Sequence, residues 1–238
     1  MHSLVWGDFC ALEPEMNLTS RLIYIPVGRD EIQGDLHIPE NSTAIVVFAH
    51  GSGSSRHSPR NQYVANVLNE AGIATLLIDL LTPDEELIDF QTAHLRFDID
   101  LLASRLSTVT QWLRRQSTVA KLHIGYFGAS TGAAASVVAA AKLPDVVEAV
   151  VSRGGRPDLA GPWLMKLRAP MLMIVGGNDR FVAGLNYQAA AELKGEHRVE
   201  IVPNAGHLFE EPGALEMTAA IARDWFEDHL ILANRRAA

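Results

Sequence analysis

The chain has 238 residues, of which 48% are hydrophobic and 20% charged, and its formal net charge is −8 at pH 7. This composition favours one large folded domain and disfavours a disordered chain. Because the net charge is negative and no basic run exceeds two residues, a nucleic-acid or anionic-membrane binder is disfavoured, and a small molecule is the expected partner.

The single cysteine of this sequence, Cys10, excludes a disulfide within it and a cysteine-rich zinc cluster. No N-terminal stretch has the pattern of a secretory signal, and no apolar run approaches the roughly 18 residues that cross a bilayer. We therefore expect a cytoplasmic protein that does not bind membranes. Residues 1–19 are predicted to form an irregular leader, and residues 20–238 a single α/β domain.

Strand-like segments alternate with helical patterns after the leader, as they do where helices connect parallel strands. The predicted strands are Leu22–Val27, Asp35–Ile38, Ala44–Ala49, Ala74–Ile78, Leu122–Phe127, Val147–Val151, Met171–Val175 and Arg198–Val202. Only the first two, around Gly28-Arg29-Asp30, are predicted to form a hairpin.

Apolar residues recur at i, i+3 and i+4 between these strands, which predicts helices. The predicted helices are Asn61–Ala71, about Thr92–Gln116, Ser130–Ala141, Leu185–Leu193 and Ala214–His229. The fold expected from this order is a doubly wound, mostly parallel twisted sheet of about eight strands with helices on both faces. The segment Asp145–Leu164 is too short for a large helical lid, so none is expected.

A serine lies between glycines at one predicted strand-to-helix junction, in Gly128-Ala129-Ser130-Thr131-Gly132. A nucleophile elbow needs this arrangement, because its turn strains the serine backbone and small flanking residues let strand and helix approach closely. An ordinary turn or helix-capping serine is the alternative. The context favours Ser130 as a catalytic nucleophile.

A serine nucleophile needs a histidine base, which a carboxylate usually orients. Asp179 follows the predicted strand that ends at Val175, and His207 follows the strand that ends at Val202. Ligand sites of such sheets lie beyond the carboxyl ends of the strands. Taken singly, Asp179 could cap a helix and His207 could be a surface histidine. Their occurrence in the order Ser130, Asp179, His207 predicts a catalytic triad.

Acyl transfer also requires amide donors for the oxyanion, one directly after the nucleophile and one from the loop after an earlier strand. The predicted donors are the backbone N–H groups of Thr131 and Ser52, with Gly53 as the rival of Ser52. The glycine-rich loop His50-Gly51-Ser52-Gly53-Ser54 lacks the endings and spacings of phosphate-binding loops, so a phosphate cradle is less favoured.

Several arginines flank the predicted catalytic edge, namely Arg56, Arg60, Arg153 and Arg156. A guanidinium there could hold a carboxylate through two hydrogen bonds, which predicts an ester that carries an acidic group. Pairing of these arginines with local carboxylates such as Asp158 is the alternative. Trp163 is a further candidate for lining the site. The acidic stretch Pro83–Glu86 has no paired histidines nearby, so no metal is expected.

Taken together, these motifs resemble the α/β-hydrolase superfamily and, within it, the dienelactone hydrolase-like family. The resemblance runs from about residue 20 to 230 and is carried by His50-Gly51-Ser52-Gly53, the elbow around Ser130, Gly177-Asn178-Asp179 and the segment from Gly206 to Gly213. It implies the α/β-hydrolase fold and a hydrolase that needs no cofactor. Dienelactone hydrolases use a cysteine nucleophile where this chain has Ser130, which shifts the expected substrate to a general carboxylic ester.

The resemblance leaves thioesters, lactones and acyl transfer open as reactions of the same triad. A non-catalytic ligand-binding protein with this fold is the alternative of a different class, and the complete predicted triad speaks against it. The expected oligomeric state is a monomer or a homodimer.

Overall fold

The computed structural model describes residues 20–232, so the predicted leader, residues 1–19, lies outside the described residues. Eight strands form one sheet in the order β1-β2-β4-β3-β5-β6-β7-β8. They are β1 (Arg21–Val27), β2 (Asp30–His37), β3 (Ala44–Ala49), β4 (Ala74–Ile78), β5 (His123–Ala129), β6 (Val147–Arg153), β7 (Met171–Gly176) and β8 (His197–Val202). The predicted α/β-hydrolase fold is confirmed.

Strands β1 and β2 form the predicted hairpin, and β2 pairs antiparallel with β4, while the remaining neighbours are parallel. The pairing of Val27 with Asp30 leaves Gly28 and Arg29 as the turn, and Gly28 has φ +81°. Strand β2 therefore begins at Asp30, five residues before the predicted start at Asp35. Its first residues are exposed and polar, so they lack the apolar pattern that identifies a strand from sequence.

Six α-helices connect the strands or follow them, within residues 20–232: α1 (Pro59–Glu70), α2 (Pro83–Thr92), α3 (Ile99–Leu113), α4 (Thr131–Lys142), α5 (Arg180–Glu192) and α6 (Ala214–Phe226). Short 3₁₀ segments span Leu95–Phe97 and Pro157–Lys166, and a π-helical segment, Glu227–Leu232, extends α6. No described helix is long and apolar enough to cross a membrane.

The helix predicted over about 92–116 occurs as α3, but α3 begins only at Ile99, and the preceding helix α2, which ends at Thr92, was not predicted. Thr82 and Glu85 make a reciprocal capping box that starts α2, and Ala93 ends it in a left-handed conformation. Asp98 then caps α3 by accepting a hydrogen bond from the Leu101 N–H. The capping residues, and not the apolar period, set these boundaries.

The two faces of the sheet have separate hydrophobic cores. Helices α3, α4 and α5 cover one face, which takes Ile45 and Val47 of β3, while α1 and α6 cover the other, which takes Val46 and Phe48. Alternate residues of one strand thus point to opposite cores. This packing brings the carboxyl ends of β3, β5, β6, β7 and β8 to one edge, where the loops that carry the predicted site residues lie.

Candidate active site

Ser130 occupies a strained turn between β5 and α4. Its φ of 49° and ψ of −121° lie in a region that residues other than glycine rarely adopt. Gly132 packs against the end of β3, where an added Cβ would overlap the Ala49 carbonyl oxygen and come within 2.6 Å of that of His50. Strand and helix therefore meet as closely as a nucleophile elbow requires.

Asp179 contacts His207 across the loops that follow β7 and β8. The Asp179 Oδ2 to His207 Nδ1 distance is 2.7 Å, and the other oxygen, Oδ1, accepts a hydrogen bond from the Val182 N–H at 3.3 Å. Asp179 is thus also the N-cap of α5. Helix capping, the alternative role predicted from the sequence, is therefore compatible with the predicted triad role. Its side chain is 14% exposed and that of His207 44% exposed.

Hydrogen bonds from Asn178 join the two loops that carry these residues. The Asn178 side-chain amide donates to the Asn204 carbonyl at 2.7 Å, and the Asn178 backbone N–H donates to the Ala205 carbonyl at 2.9 Å. Glu211 accepts the Gly206 N–H at 2.9 Å, and this bond lowers the pKa of the Glu211 carboxyl. The bonds restrict His207 to the position in which it meets Asp179.

A cavity of about 270 Å³, here called the catalytic cavity, brings Ser130 and His207 together at the sheet edge. Its other lining residues include Ser52, Arg60 and Arg153. Ser130, His207 and two of the four predicted arginines therefore share one concave space, and Asp179, which does not line it, contacts His207.

The loop of residues 50–58 between β3 and α1, the β3–α1 loop, adjoins Ser130. A Cβ added to Gly51 would lie 2.9 Å from the Ser130 Cβ. The Ser54 N–H donates to the Gly51 carbonyl at 3.2 Å, so residues 51–54 form a turn, and Gly53 has φ +68°. Within residues 20–232, the N–H groups of Ser52, Gly53 and Thr131 donate to no protein acceptor. These amides therefore stay available for an oxyanion, and the assignment of Ser52 and Thr131 stays a prediction.

Two side chains of the β3–α1 loop fix it to the end of β4. His50 Nε2 accepts the Leu80 N–H at 3.1 Å, which leaves the proton on Nδ1, 2.9 Å from the Gly51 carbonyl oxygen. Burial lowers the pKa of His50 and keeps the ring neutral. Arg56 binds Asp79 through its backbone N–H at 2.9 Å and its guanidinium at 2.5 Å. Arg56 thus anchors the loop and lines neither cavity described here.

Arg153 is a buried cation at the end of β6. It is 7% exposed, its Nη2 lies 3.2 Å from the Asn61 Oδ1, and its guanidinium lies 5.9 Å from the Phe209 ring centre. No carboxylate of the described residues is within ion-pairing distance of it. Burial, followed by the like charge of Arg60, lowers the pKa of Arg153 to about 10, so it stays protonated at neutral pH.

The other predicted binding residues have different surroundings. Arg60 lines the catalytic cavity and lies 3.4 Å from Glu210 at its rim. Arg156 pairs with Asp158 at 2.7 Å, which is the alternative considered from sequence. Trp163 packs against the core beside the ammonium groups of Lys142 and Lys166. Neither Arg156 nor Trp163 lines the catalytic cavity.

A second and larger cavity of about 450 Å³, here called the loop cavity, lies between the β3–α1 loop and α2. Its apolar lining comprises Leu80, Leu81, Phe90 and Leu102. Residues 51, 52, 54 and 58 line both cavities, so this loop is the wall between them. The sequence did not indicate the loop cavity, because helix α2, which closes it, was not predicted.

Comparison with known proteins finds a matching family model and solved structures of the same fold. The family model described as "Dienelactone hydrolase family" matches residues 32–233. The crystal structure of dienelactone hydrolase from Anabaena variabilis is 55% identical, covers 90% of this chain and 99% of that chain, and has a TM-score of 0.88. Est1E from Butyrivibrio proteoclasticus, at 16% identity and a TM-score of 0.74, covers 88% of this chain and 98% of that chain and shares the fold.

A Mycobacterium tuberculosis protein is 57% identical over 208 residues, which are 87% of this chain and 46% of that protein. It bears the name "Putative phosphoribosyl transferase". The chain thus spans about half the length of the curated relatives it matches.

Proposed function

Because the chain belongs to the dienelactone hydrolase family, we propose that it is a serine hydrolase that cleaves a small carboxylic ester through an acyl-enzyme intermediate. The contact of 2.7 Å between Asp179 and His207, at a cavity that also holds Ser130 in a strained elbow, is the observation that carries this function. The phosphoribosyl transferase name does not assign an activity to this chain, since the chain covers 46% of that relative.

In the proposed reaction, Ser130 Oγ attacks the ester carbonyl while His207 accepts its proton. Asp179 accepts the Nδ1–H of His207, which leaves Nε2 free to act as the base and stabilises the imidazolium that forms. The N–H groups of Ser52 and Thr131 stabilise the oxyanion. His207 then protonates the leaving alcohol, and water releases the acyl group from Ser130 by the same steps in reverse order.

Hydrolysis of p-nitrophenyl acetate by the wild type and by Ser130→Ala tests the proposed function directly. Loss of the nucleophile should lower kcat by on the order of 10³- to 10⁶-fold, because the remaining groups cannot form the acyl-enzyme. Ser117→Ala, at an exposed serine far from the elbow, is the matched control. Equal rates in wild type and Ser130→Ala would contradict the triad and favour a non-catalytic binding protein.

The nature of the acyl acceptor needs a separate measurement. With an added alcohol or amine in competition with water, product analysis distinguishes hydrolysis from acyl transfer by the same triad. A thioester matched in acyl group to the oxygen ester distinguishes an esterase from a thioesterase. In the competition experiment we expect the free acid as the main product. In the comparison of esters we expect turnover of the oxygen ester.

A further inference from the structure

The loop cavity adjoins the predicted oxyanion position. Ser52 and Thr131, whose backbone N–H groups are the predicted donors, both line this cavity. Ser130 and His207 do not line it, because they lie in the catalytic cavity on the other side of the β3–α1 loop. A group in the loop cavity therefore lies beside the oxyanion of a bound ester and away from the predicted base.

The stereochemistry of the proposed reaction leaves the loop cavity for the acyl half of the ester. In the tetrahedral intermediate, the former carbonyl carbon carries Ser130 Oγ, the oxyanion, the leaving oxygen and the acyl chain. The oxyanion faces the N–H groups of Ser52 and Thr131, and the leaving oxygen faces His207, which protonates it. The acyl chain takes the remaining direction, and the space that the two donors border is open to it.

The inner lining of the loop cavity suits an apolar group. Leu80 and Leu81 follow β4, Leu102 lies on α3, and all three side chains are buried. The charged residues Asp89 and Arg96 neutralise each other through hydrogen bonds of 2.6 and 3.0 Å. Because leucine side chains offer water no hydrogen bonds, an apolar group that displaces water from them is favoured. The volume of about 450 Å³ is within the usual range of small-molecule sites.

Helix α2 forms the outer wall of the loop cavity and places an aromatic ring at its mouth. Glu86, Asp89 and Phe90 are three and four residues apart, so they share the face of α2 that lines the cavity. Phe90 is 86% exposed although it lines the cavity. An aromatic ring that is left in water beside an apolar space is stabilised when a ligand covers it. Phe90 is therefore positioned to contact the end of a chain that extends from the oxyanion position.

We propose that the loop cavity is the acyl-binding site, that it selects apolar acyl groups longer than acetyl, and that Phe90 determines this specificity by packing against the acyl chain. This inference rests on the proposed function. The covalent steps stay the same: Ser130 Oγ displaces the alcohol from the acyl carbon, and water then displaces Ser130 Oγ. Because each buried CH₂ group favours binding by up to about fourfold, a hexanoyl group should gain about 10- to 100-fold over an acetyl group in kcat/KM.

Two isomeric esters test which half of the substrate occupies the loop cavity. Ethyl hexanoate and hexyl acetate have the same formula, but the longer chain is on the acyl half of the first and on the alcohol half of the second. For the wild type we expect kcat/KM to be about 10-fold higher or more for ethyl hexanoate. With a constant leaving group, kcat/KM for p-nitrophenyl hexanoate should exceed that for p-nitrophenyl acetate by about 10- to 100-fold, after correction for their rates of hydrolysis by hydroxide.

Variants of α2 then test the role of Phe90. Phe90→Ala should lower the ratio of kcat/KM for p-nitrophenyl hexanoate to that for p-nitrophenyl acetate by about three- to tenfold, and Phe90→Leu should restore most of it. Ile88→Ala is the matched control, because Ile88 is on the same helix and 50% exposed but does not line the loop cavity. It should keep the wild-type ratio, whereas a general loosening of α2 would change the ratio in both alanine variants.

Each outcome supports or overturns the inference. Wild-type ratios near one in both pairs of esters, with Ser130→Ala inactive, overturn the acyl-binding site and leave the proposed hydrolase intact. A preference for hexyl acetate that Phe90→Ala reduces overturns the orientation, because it places the alcohol half in the loop cavity. A wild-type ratio in Phe90→Ala overturns the role of Phe90. Activity that survives in Ser130→Ala instead overturns the proposed function itself.

Discussion

Asp179 combines two roles that can be separated by mutation. One carboxylate oxygen contacts His207 and the other caps α5. Asparagine caps helices about as well as aspartate, but it cannot stabilise an imidazolium as a carboxylate does. We therefore expect Asp179→Asn to lower kcat by on the order of 10³- to 10⁴-fold, while the free energy of unfolding changes little.

Asp179→Ala provides the comparison, because alanine removes both contacts. We expect a similar loss of kcat and a further loss of about 1 kcal/mol of unfolding free energy, as found when a helix cap is removed. Urea unfolding and p-nitrophenyl acetate hydrolysis measure the two effects independently. If Asp179→Asn kept wild-type kcat, Asp179 would be a capping residue only.

Among the elements, the β3–α1 loop depends on a buried, neutral His50. The pKa of His50 is lowered in the folded protein, chiefly by burial, while that of an unfolded histidine is about 6.5. Below pH ~6.5 the unfolded chain therefore binds more protons than the folded one, so stability from His50 is present above this pH and is lost as the pH falls toward the folded pKa. The slope is at most about 1.4 kcal/mol per pH unit.

His50→Gln tests this dependence, because glutamine can accept the Leu80 N–H but does not titrate. We expect wild-type unfolding free energy to exceed that of the variant most above pH 7, and the difference to shrink as the pH is lowered to 5. His37, whose pKa burial also lowers, is present in both proteins and cancels in the difference. Parallel stability curves for the two proteins would show that His50 does not contribute to the pH dependence.

The elements that the sequence predicted well are those that a strong local pattern defines. All eight strands occur, because each places apolar side chains in one or both cores. Helix α2 was missed because its interior buries only Asp89 and exposes Phe90 at 86%, so it has no apolar stripe toward a core. The loop cavity that α2 closes was missed for the same reason.

At the site, sequence order indicated Ser130, Asp179 and His207 as a triad, because each follows a recognisable strand, and the structure brings the three residues to one edge of the sheet. It could not distinguish Arg56 from Arg153, since their roles depend on partners far along the chain. Arg56 pairs with Asp79, 23 residues away, whereas Arg153 meets the amide of Asn61, 92 residues away. The β3–α1 loop was predicted as a source of an oxyanion donor, but the role of His50 in fixing it depends on Leu80, 30 residues on.

At the scale of the whole molecule, the electrostatic effect of the net charge on an anionic ester opposes that of the catalytic cavity. The net charge of −8 repels such a substrate, whereas Arg60 and Arg153 attract it locally. At about 20 Å, the approximate radius of a chain this size, the long-range repulsion amounts to roughly 1 kcal/mol in dilute buffer. Raising the salt from 0.02 to 0.2 M shortens the screening length to below about 10 Å and removes about half of this repulsion.

The attraction by Arg153 is screened much less, because this side chain is buried at the cavity wall and 7% exposed. We therefore expect kcat/KM for 4-acetoxyphenylacetate, an acetate ester that carries a carboxylate, to rise by about twofold over this salt range, and kcat/KM for its neutral methyl ester to stay constant. Steady-state rates at fixed pH measure both, with a second salt as a check for specific ion effects. A steep fall for the anionic ester alone would mean that its anion is held by solvent-exposed charges and not by buried Arg153.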